Sequence, residues 1–327
     1  MYRLIAITAA DTGARIASIG QIAGEKATVV TALGLSAVML PKRKALLIAA
    51  FQKKAQLEGL LQDQKALESA LSFGPVLPAA LAPILGTEAE ALALLAGHAQ
   101  RLRDGLRDFG NAVQFQIRVT WDAKAALTAY RQEEDIIEAA KAGGEALRTA
   151  MLARKSALAR SANDLLVEAS LDNLSLPHEH EDVLINKVVL IERAGEAKLD
   201  AAVNAIDALL TEALSIKYTG PLPAVSFASV SVEEADASTL SSALKRLGLA
   251  TLGQPDDVRA AYLARMKTEH PDAAAKAGGD IATHAADYKL LMRVAEAERA
   301  IERAGGVGST RVLLLDLKRD GDQKRAA

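Results

Sequence analysis

The segment Ala112-Val113-Gln114-Phe115-Gln116-Ile117-Arg118-Val119-Thr120-Trp121 constrains the fold more than any other part of this chain. Val113, Phe115, Ile117 and Val119 fall on one side of an extended backbone, and Gln114, Gln116, Arg118 and Thr120 on the other. Successive side chains of a strand point to opposite faces, so this period of two predicts a sheet with one buried face. The residues before it supply both strands and a covering layer. Residues 2–8, 27–33 and 35–40 read as strands, and Pro41-Lys42-Arg43-Lys44 breaks the last of them. Residues 45–61 and 88–107 read as helices, with a Pro-flanked extended piece at 74–78 between them. Strands interleaved with helices, without the long apolar runs of a parallel sheet, predict an α+β domain of ferredoxin-like type over residues 1–122.

Residues 123–170 are almost continuously helix-forming, interrupted only by Gly143-Gly144, and 174–182 reads as a polar linker. Together they predict a helical insert and linker over 123–181. A second small α+β domain is expected over 182–234, with strands at 183–191, 215–218 and 225–232 and a helix at 196–214. Gly220-Pro221-Leu222-Pro223 and the Pro-flanked piece at 74–78 are expected to be domain-shaping turns. Residues 235–304 read as a helical module. Gly305-Gly306-Val307-Gly308 then leads into a tail, 305–327, whose apolar run at 312–317 can add to a sheet edge. The expected chain is thus α+β: two ferredoxin-like α/β domains joined by a helical segment, plus a C-terminal helical module.

Composition narrows the function. Only 3% of the 327 residues are aromatic, so the core is built from Ala, Leu, Val and Ile. The net charge of −2 indicates neither a nucleic-acid surface nor a polyacidic tail. There is no cysteine, which excludes disulfides, thiolate catalysis and cysteine-ligated zinc and suits a reducing cytoplasm. The first eight residues lack the length and basic front of a signal peptide, and no charge-free apolar run is long enough to span a membrane.

Four constellations invite chemistry and carry little of it. Asp11-Thr12-Gly13 matches the aspartic-protease tripeptide, but its flanks read as an ordinary turn. His178 and His180 of His178-Glu179-His180-Glu181-Asp182 point the same way in an extended segment, yet no third ligand is placed by spacing; a solvated linker explains them as well. The glycine-rich stretch 305–309 lacks the Lys-Ser/Thr of a phosphate loop. Glu133-Glu134-Asp135 reads as a solvated helix face. No catalytic, cofactor or metal site is therefore assigned, and an enzyme is not expected.

One tripeptide in the C-terminal module reads as a recognition element. His270-Pro271-Asp272 lies between two helical segments, and Pro after a helix stops it, leaving an imidazole and a carboxylate at a corner. Pro255, Asp256 and Asp257 mark the start of the first helix, and Val258, Tyr262 and Met266 form its apolar stripe. Arg259, Arg265 and Lys267 supply positive charge on the same helix. The second helix, expected from residue 280 to 303, faces it with Tyr288, Leu291, Met292, Ala295 and Ile301. With Leu247-Gly248-Leu249 upstream and Ala261-Tyr262 on the helix, this region resembles the J-domain of DnaJ-type co-chaperones. The resemblance implies a chaperone-binding set, His270, Pro271, Asp272, Arg259, Tyr262, Arg265 and Lys267, engaging a DnaK-type chaperone. A J-like fold kept only as a helical hairpin is the other reading.

The first 233 residues carry a second resemblance. Phe51-Gln52-Lys53-Lys54-Ala55-Gln56-Leu57-Glu58 leads to Pro75-Val76-Leu77-Pro78, and Gly86-Thr87 opens the next helix. Asn186-Lys187-Val188-Val189-Leu190-Ile191 and then Thr219-Gly220-Pro221-Leu222-Pro223-Ala224-Val225-Ser226-Phe227-Ala228 follow in order. The ordered set resembles the GvpL/GvpF family of gas-vesicle proteins. It implies an assembly or minor shell protein in the gas vesicle or cytoplasm. Its implied partners are the small hydrophobic shell protein GvpA and other gas-vesicle accessory proteins, with no nucleic acid and no membrane. A general J-domain co-chaperone for an unrelated client is the alternative.

Overall fold

The computed structural model describes residues 1–43, 49–178, 180–269, 281–305, 311 and 313–319. In chain order the elements are β1 (Tyr2–Ala9), α1 (Ala10–Ile19), β2 (Gln21–Ile22), β3 (Glu25–Lys26), β4 (Thr28–Ala32), β5 (Leu35–Pro41), α2 (Ala49–Phe73), β6 (Val76–Pro78), β7 (Ile84–Leu85), α3 (Glu88–Gly97) and α4 (Ala99–Phe109). There follow β8 (Ala112–Trp121), α5 (Ala123–Tyr130), α6 (Glu134–Ala142), α7 (Gly144–Ala169), β9 (Asp172–Ser175), β10 (Val183–Glu192), α8 (Glu196–Leu209) and β11 (Leu214–Pro223). The chain ends with β12 (Ala228–Glu234), α9 (Ala237–Leu247), α10 (Pro255–Glu269), α11 (Ile281–Arg303) and β13 (Leu313–Arg319). It divides into two units: Met1–Gly110 with Ala228–Ala327, and Asn111–Phe227.

The first unit is built on β1-α1-β4-β5-α2-β6, with sheet order β4-β5-β1-β6 and every neighbour antiparallel. That is the ferredoxin-like arrangement expected for this region. The central strand β1 is buried from Arg3 to Thr8, because α1 and α2 as well as α4 pack against it. A bulge between Leu4 and Ala6 shifts its register, which brings both Leu4 and Ile7 into the core cluster with Leu94, Leu95 and Leu102 of α3 and α4. A buried cation at the start of β1 is fully engaged. Arg3 donates to the Pro41 carbonyl at 2.9 Å, to Glu25 at 2.6 Å and to Asp63, and Arg43 donates to the same two carboxylates. This network offsets the desolvation of Arg3 and ties β1 to the β2–β3 hairpin and to α2.

The second unit repeats the topology. β8, the helices α5 to α7, β9, β10, α8 and β11 again form a βαββαβ chain, with sheet order β11-β8-β10-β9 and antiparallel neighbours. The expected alternation of β8 holds: Val113, Phe115, Ile117, Val119 and Trp121 are buried. Gln114 is buried as well, because its side chain accepts a hydrogen bond from the Ser226 backbone N–H at 2.9 Å.

This pairing moves the domain boundaries. β8 was expected to close a domain at residue 122, but its partners are β10 and β11. Residues 123–181 are not an insert between domains; they hold the helical crossover of one ferredoxin-like unit together with its second strand, β9. Likewise β12, expected within a domain 182–234, belongs to the first unit, and so do the helical module and the tail. Strand partners are long-range choices, and a period of two does not name them.

Several element ends differ for local reasons. The helix expected at 88–107 divides at His98 into α3 and α4. The helix expected to end at residue 61 continues to Phe73, where Gly74 and Pro75 stop it. Thr87 caps α3 by accepting from the Glu90 N–H at 3.2 Å, and the Glu90 carboxylate accepts from the N–H of Gly86, the residue before the cap, at 2.7 Å.

Gly220-Pro221-Leu222-Pro223, expected as a turn, lies instead at a register shift within β11, and packing dictates the glycine there. A Cβ there would lie 2.3 Å from the ring of Phe115, which is fully buried and stacked on Tyr218 with centroids 4.9 Å apart. Gly220→Ala is therefore expected to destabilise the second unit by about 2–3 kcal/mol. Trp121 is the single tryptophan and lies in that unit, so its fluorescence through a urea titration reads the change; an unshifted transition would contradict this packing.

Candidate functional site

The C-terminal module is where the sequence placed its recognition residues, and its helices are well defined. Asp236 caps α9 by accepting from the Thr239 N–H at 2.8 Å. Leu247-Gly248-Leu249 is the C-terminal cap of that helix. Gly248 has φ 76° and the Leu249 N–H donates to the Leu244 carbonyl at 2.9 Å. Gln254 and Asp257 open α10: the Asp257 carboxylate accepts from the Gln254 N–H at 2.9 Å. The three helices share one apolar cluster, formed by Ala243, Leu247, Val258, Leu291 and Ala295, with Leu249, Tyr262, Tyr288 and Met292 packed against it. Arg246 of α9 forks onto Asp287 of α11 at 2.6 and 2.7 Å, and Asp287 is only 5% exposed.

The expected recognition residues divide within this frame. Arg259 and Lys267 are exposed on α10 and Arg265 is half-buried. Tyr262 is a packing residue: its ring stacks on Tyr288 with centroids 4.4 Å apart. His270, Pro271 and Asp272 lie outside the described residues.

The module is docked on the rest of its unit. Ala297 of α11 abuts Gly97 of α3, where an added Cβ would lie 3.2 Å from the Ala297 Cβ. Beyond α11, the chain returns as β13, which pairs antiparallel with β12 from Leu313↔Glu234 to Arg319↔Ala228. Leu315 and Val230 enter the same core cluster as Leu77 and Leu102, and the side chain of Leu317 lies in a notch at Gly105 of α4. Arg311 clamps the approach, donating to Glu90 at 3.2 Å and to Glu234 at 2.6 Å. Arg101 donates to the Leu315 carbonyl at 3.2 Å.

His98, at the junction of α3 and α4, completes this contact: its Nε2 accepts a hydrogen bond from the Leu315 N–H at 3.2 Å. Burial pushes the imidazole down from 6.5 to about 4, the nearby Arg101 cation pushes the same way, and a backbone hydrogen bond to Leu313 opposes both. None of His98, Glu90 or Arg311 was singled out in the sequence. Their side-chain partners are 77 or more residues away along the chain and the others are backbone groups, so no spacing marks them.

The remaining constellations are structural where they are described. Asp11-Thr12-Gly13 is the first turn of α1, with Asp11 exposed and Gly13 packed on Ser36. His178 and His180 are exposed, and no group of three metal-ligating side chains occurs among the described residues. Glu133 and Asp135 do more than line a solvated face, since both pair with Arg154 of α7. No described helix is long and apolar enough to cross a membrane.

The sequence pattern of the gas vesicle synthesis protein GvpL/GvpF family matches residues 3–229, so the chain belongs to the GvpL/GvpF family. The match runs through both ferredoxin-like frameworks and stops at the start of β12. The crystal structure of the gas vesicle protein GvpF from Anabaena sp. PCC7120 is similar at 18% identity and TM-score 0.49, over 69% of this chain and 94% of that one. GvpF from Microcystis aeruginosa is similar at 18% identity and TM-score 0.45, over 68% and 96%. No curated protein sequence gives a significant match.

The His98 contact has a signed pH dependence. Above pH 6.5 the imidazole is neutral both docked and free, and its contribution is complete. As the pH falls from 6.5 to about 4, only the free state takes up the proton, and docking of β13 weakens by up to about 3 kcal/mol. His98→Gln keeps an acceptor and does not titrate. The stability difference between wild type and His98→Gln, from denaturation at pH 7 and pH 4, is expected to shift against the wild type at the lower pH. A pH-independent difference would contradict the burial of a neutral His98.

Proposed function

We propose that this gas vesicle protein acts in assembly, as a carrier or minor structural component. In this reading it binds the small hydrophobic shell protein GvpA and other gas-vesicle accessory proteins, and it does so without catalysis. Family membership over residues 3–229 is the observation that carries the reading. The physical need is plain: a subunit destined for an apolar wall exposes apolar surface before it assembles, and such surface aggregates. The three-helix cluster of α9 to α11, with its Leu247-Gly248-Leu249 cap and the exposed Arg259 and Lys267, supports a second half of the proposal. That half has His270-Pro271-Asp272 recruit a DnaK-type chaperone to the same chain.

The docking of the module decides how this is tested. Removing residues 235–327 would strip Leu315 from the core of the first unit and confound any loss of binding with misfolding. Point variants of the full chain avoid this. Wild-type protein is expected to bind purified shell protein selectively and to stimulate ATP hydrolysis by a DnaK-type chaperone. His270→Gln is expected to retain the first activity and lose the second. Selective shell binding without chaperone stimulation in the wild type would remove the recruitment half. Stimulation without selective shell binding would favour a general co-chaperone for another client.

A further inference from the structure

The polar side of β8 belongs to a sheet face that stays accessible in the second unit. Lys187 of β10 donates to Asn163 of α7 at 2.5 Å, and Tyr218 of β11 to Asp200 of α8 at 3.1 Å. Both residues stand opposite Ile117, so α7 and α8 pack on the side of the sheet that buries Phe115, Ile117 and Val119. On the other side the register sets Lys217 of β11, Arg118 of β8 and Asn186 of β10 in one row. Lys217 is exposed, and Arg118 and Asn186 are half-buried. Ser215 and Thr120 stand in the row on one flank, Thr219 and Gln116 in the row on the other.

The central row opposes two cations across adjacent strands, and like charges so placed repel. No Asp or Glu stands in these three rows to compensate. Neither cation meets a carboxylate or a hydrogen-bond acceptor among the described residues, and the Arg118 Nε is buried without a partner. An uncharged polar residue at either position would keep the strand and remove the repulsion, so the sheet itself is a weak reason for the pair. A carboxylate between them would offset the repulsion and fit the planar fork of Arg118. The surroundings specify more than charge. The Gln116 carboxamide donates to that of Asn186 at 3.3 Å, and these amides and the flanking hydroxyls are both donors and acceptors. A strand face of that kind suits a peptide, whose backbone also carries both, whereas a small ion is held in a concave site.

We propose that this sheet face docks an acidic peptide segment of a partner protein, with one carboxylate of the segment held between Arg118 and Lys217. The proposal depends neither on gas-vesicle assembly nor on chaperone recruitment.

The full chain is titrated into a short fluorescein-labelled peptide of alternating Glu and Ser, and into its Gln-Ser counterpart, with binding read by fluorescence anisotropy. Saturable binding of the Glu-Ser peptide alone is expected, weakening as salt is raised. Arg118→Gln is expected to weaken it about tenfold and Lys217→Gln about threefold. Lys141→Gln alters an exposed lysine of α6, in the helical layer on the other side of the sheet, and is expected to leave binding unchanged. Native Trp121 emission confirms that each variant is folded; if Arg118→Gln unfolds, the exposed Lys217→Gln decides alone. Without peptide, Lys217→Gln is expected to raise the urea midpoint, because the repulsion is gone. No binding of the Glu-Ser peptide, equal binding of the Gln-Ser peptide, or a loss with Lys141→Gln as large as with Lys217→Gln would overturn the proposal. So would a lowered urea midpoint for Lys217→Gln, which would show that the cations serve stability.

Discussion

Burial of Leu315 is the contact on which the organisation of the first unit depends. It places the last described strand of the chain in the same apolar cluster as β1, β5, α3 and α4, elements from the first 110 residues. Burying a leucine of this kind contributes about 1.5–3 kcal/mol. The polar contacts around it are directional: His98 reads the Leu315 N–H, Arg101 its carbonyl, and Arg311 holds the carboxylates of Glu90 and Glu234 together. A strand joined to one side of a helical module thus fixes both of its ends, because α9 follows directly from β12 and α11 leads toward β13.

This changes what the C-terminal module is. Fused helical modules are commonly pictured on a loose tether, yet here α11 is apolar on more than one side. Leu291 and Ala295 face α9 and α10, while Ala297 meets Gly97 of α3. The absence of a side chain at Gly97 is what allows the two helices so close an approach. The family match ends as β12 begins, so the added residues build on the family framework and do not merely follow it. In the proposed function, a chaperone recruited by this module is held at a defined place on the first unit.

Much of the fold was legible because local chemistry and tertiary structure agree. The period of two in β8, the Pro-broken end of β5 and the left-handed cap at Gly248 are each decided within a few residues. The two ferredoxin-like frameworks followed from the order of elements. What the sequence could not reveal was which strand pairs with which. β8 carries the same alternation whether it closes one sheet or stands at the centre of another, and β12 reads equally well as the end of either unit. The sites were less legible still. The spacing of Tyr262 put it on the apolar stripe of its helix, where it stacks on Tyr288, whereas its place among the chaperone-binding residues came from the J-domain resemblance alone. Lys187 sits within a run of Val, Leu and Ile, and the carboxamides of Asn163 and Asn173 that meet it are brought in by the fold.

The docking of the module is tested most directly by a disulfide between α3 and α11. The chain has no cysteine, so Gly97→Cys with Ala297→Cys creates a single pair in a clean background. The two Cβ positions lie 3.2 Å apart, and a small outward shift reaches the separation of about 3.8 Å that a disulfide adopts. A docked module predicts one intramolecular bond, formed under mild oxidation and seen as a faster band on a non-reducing gel. Free thiols after oxidation, or bonds formed only between chains, would contradict it.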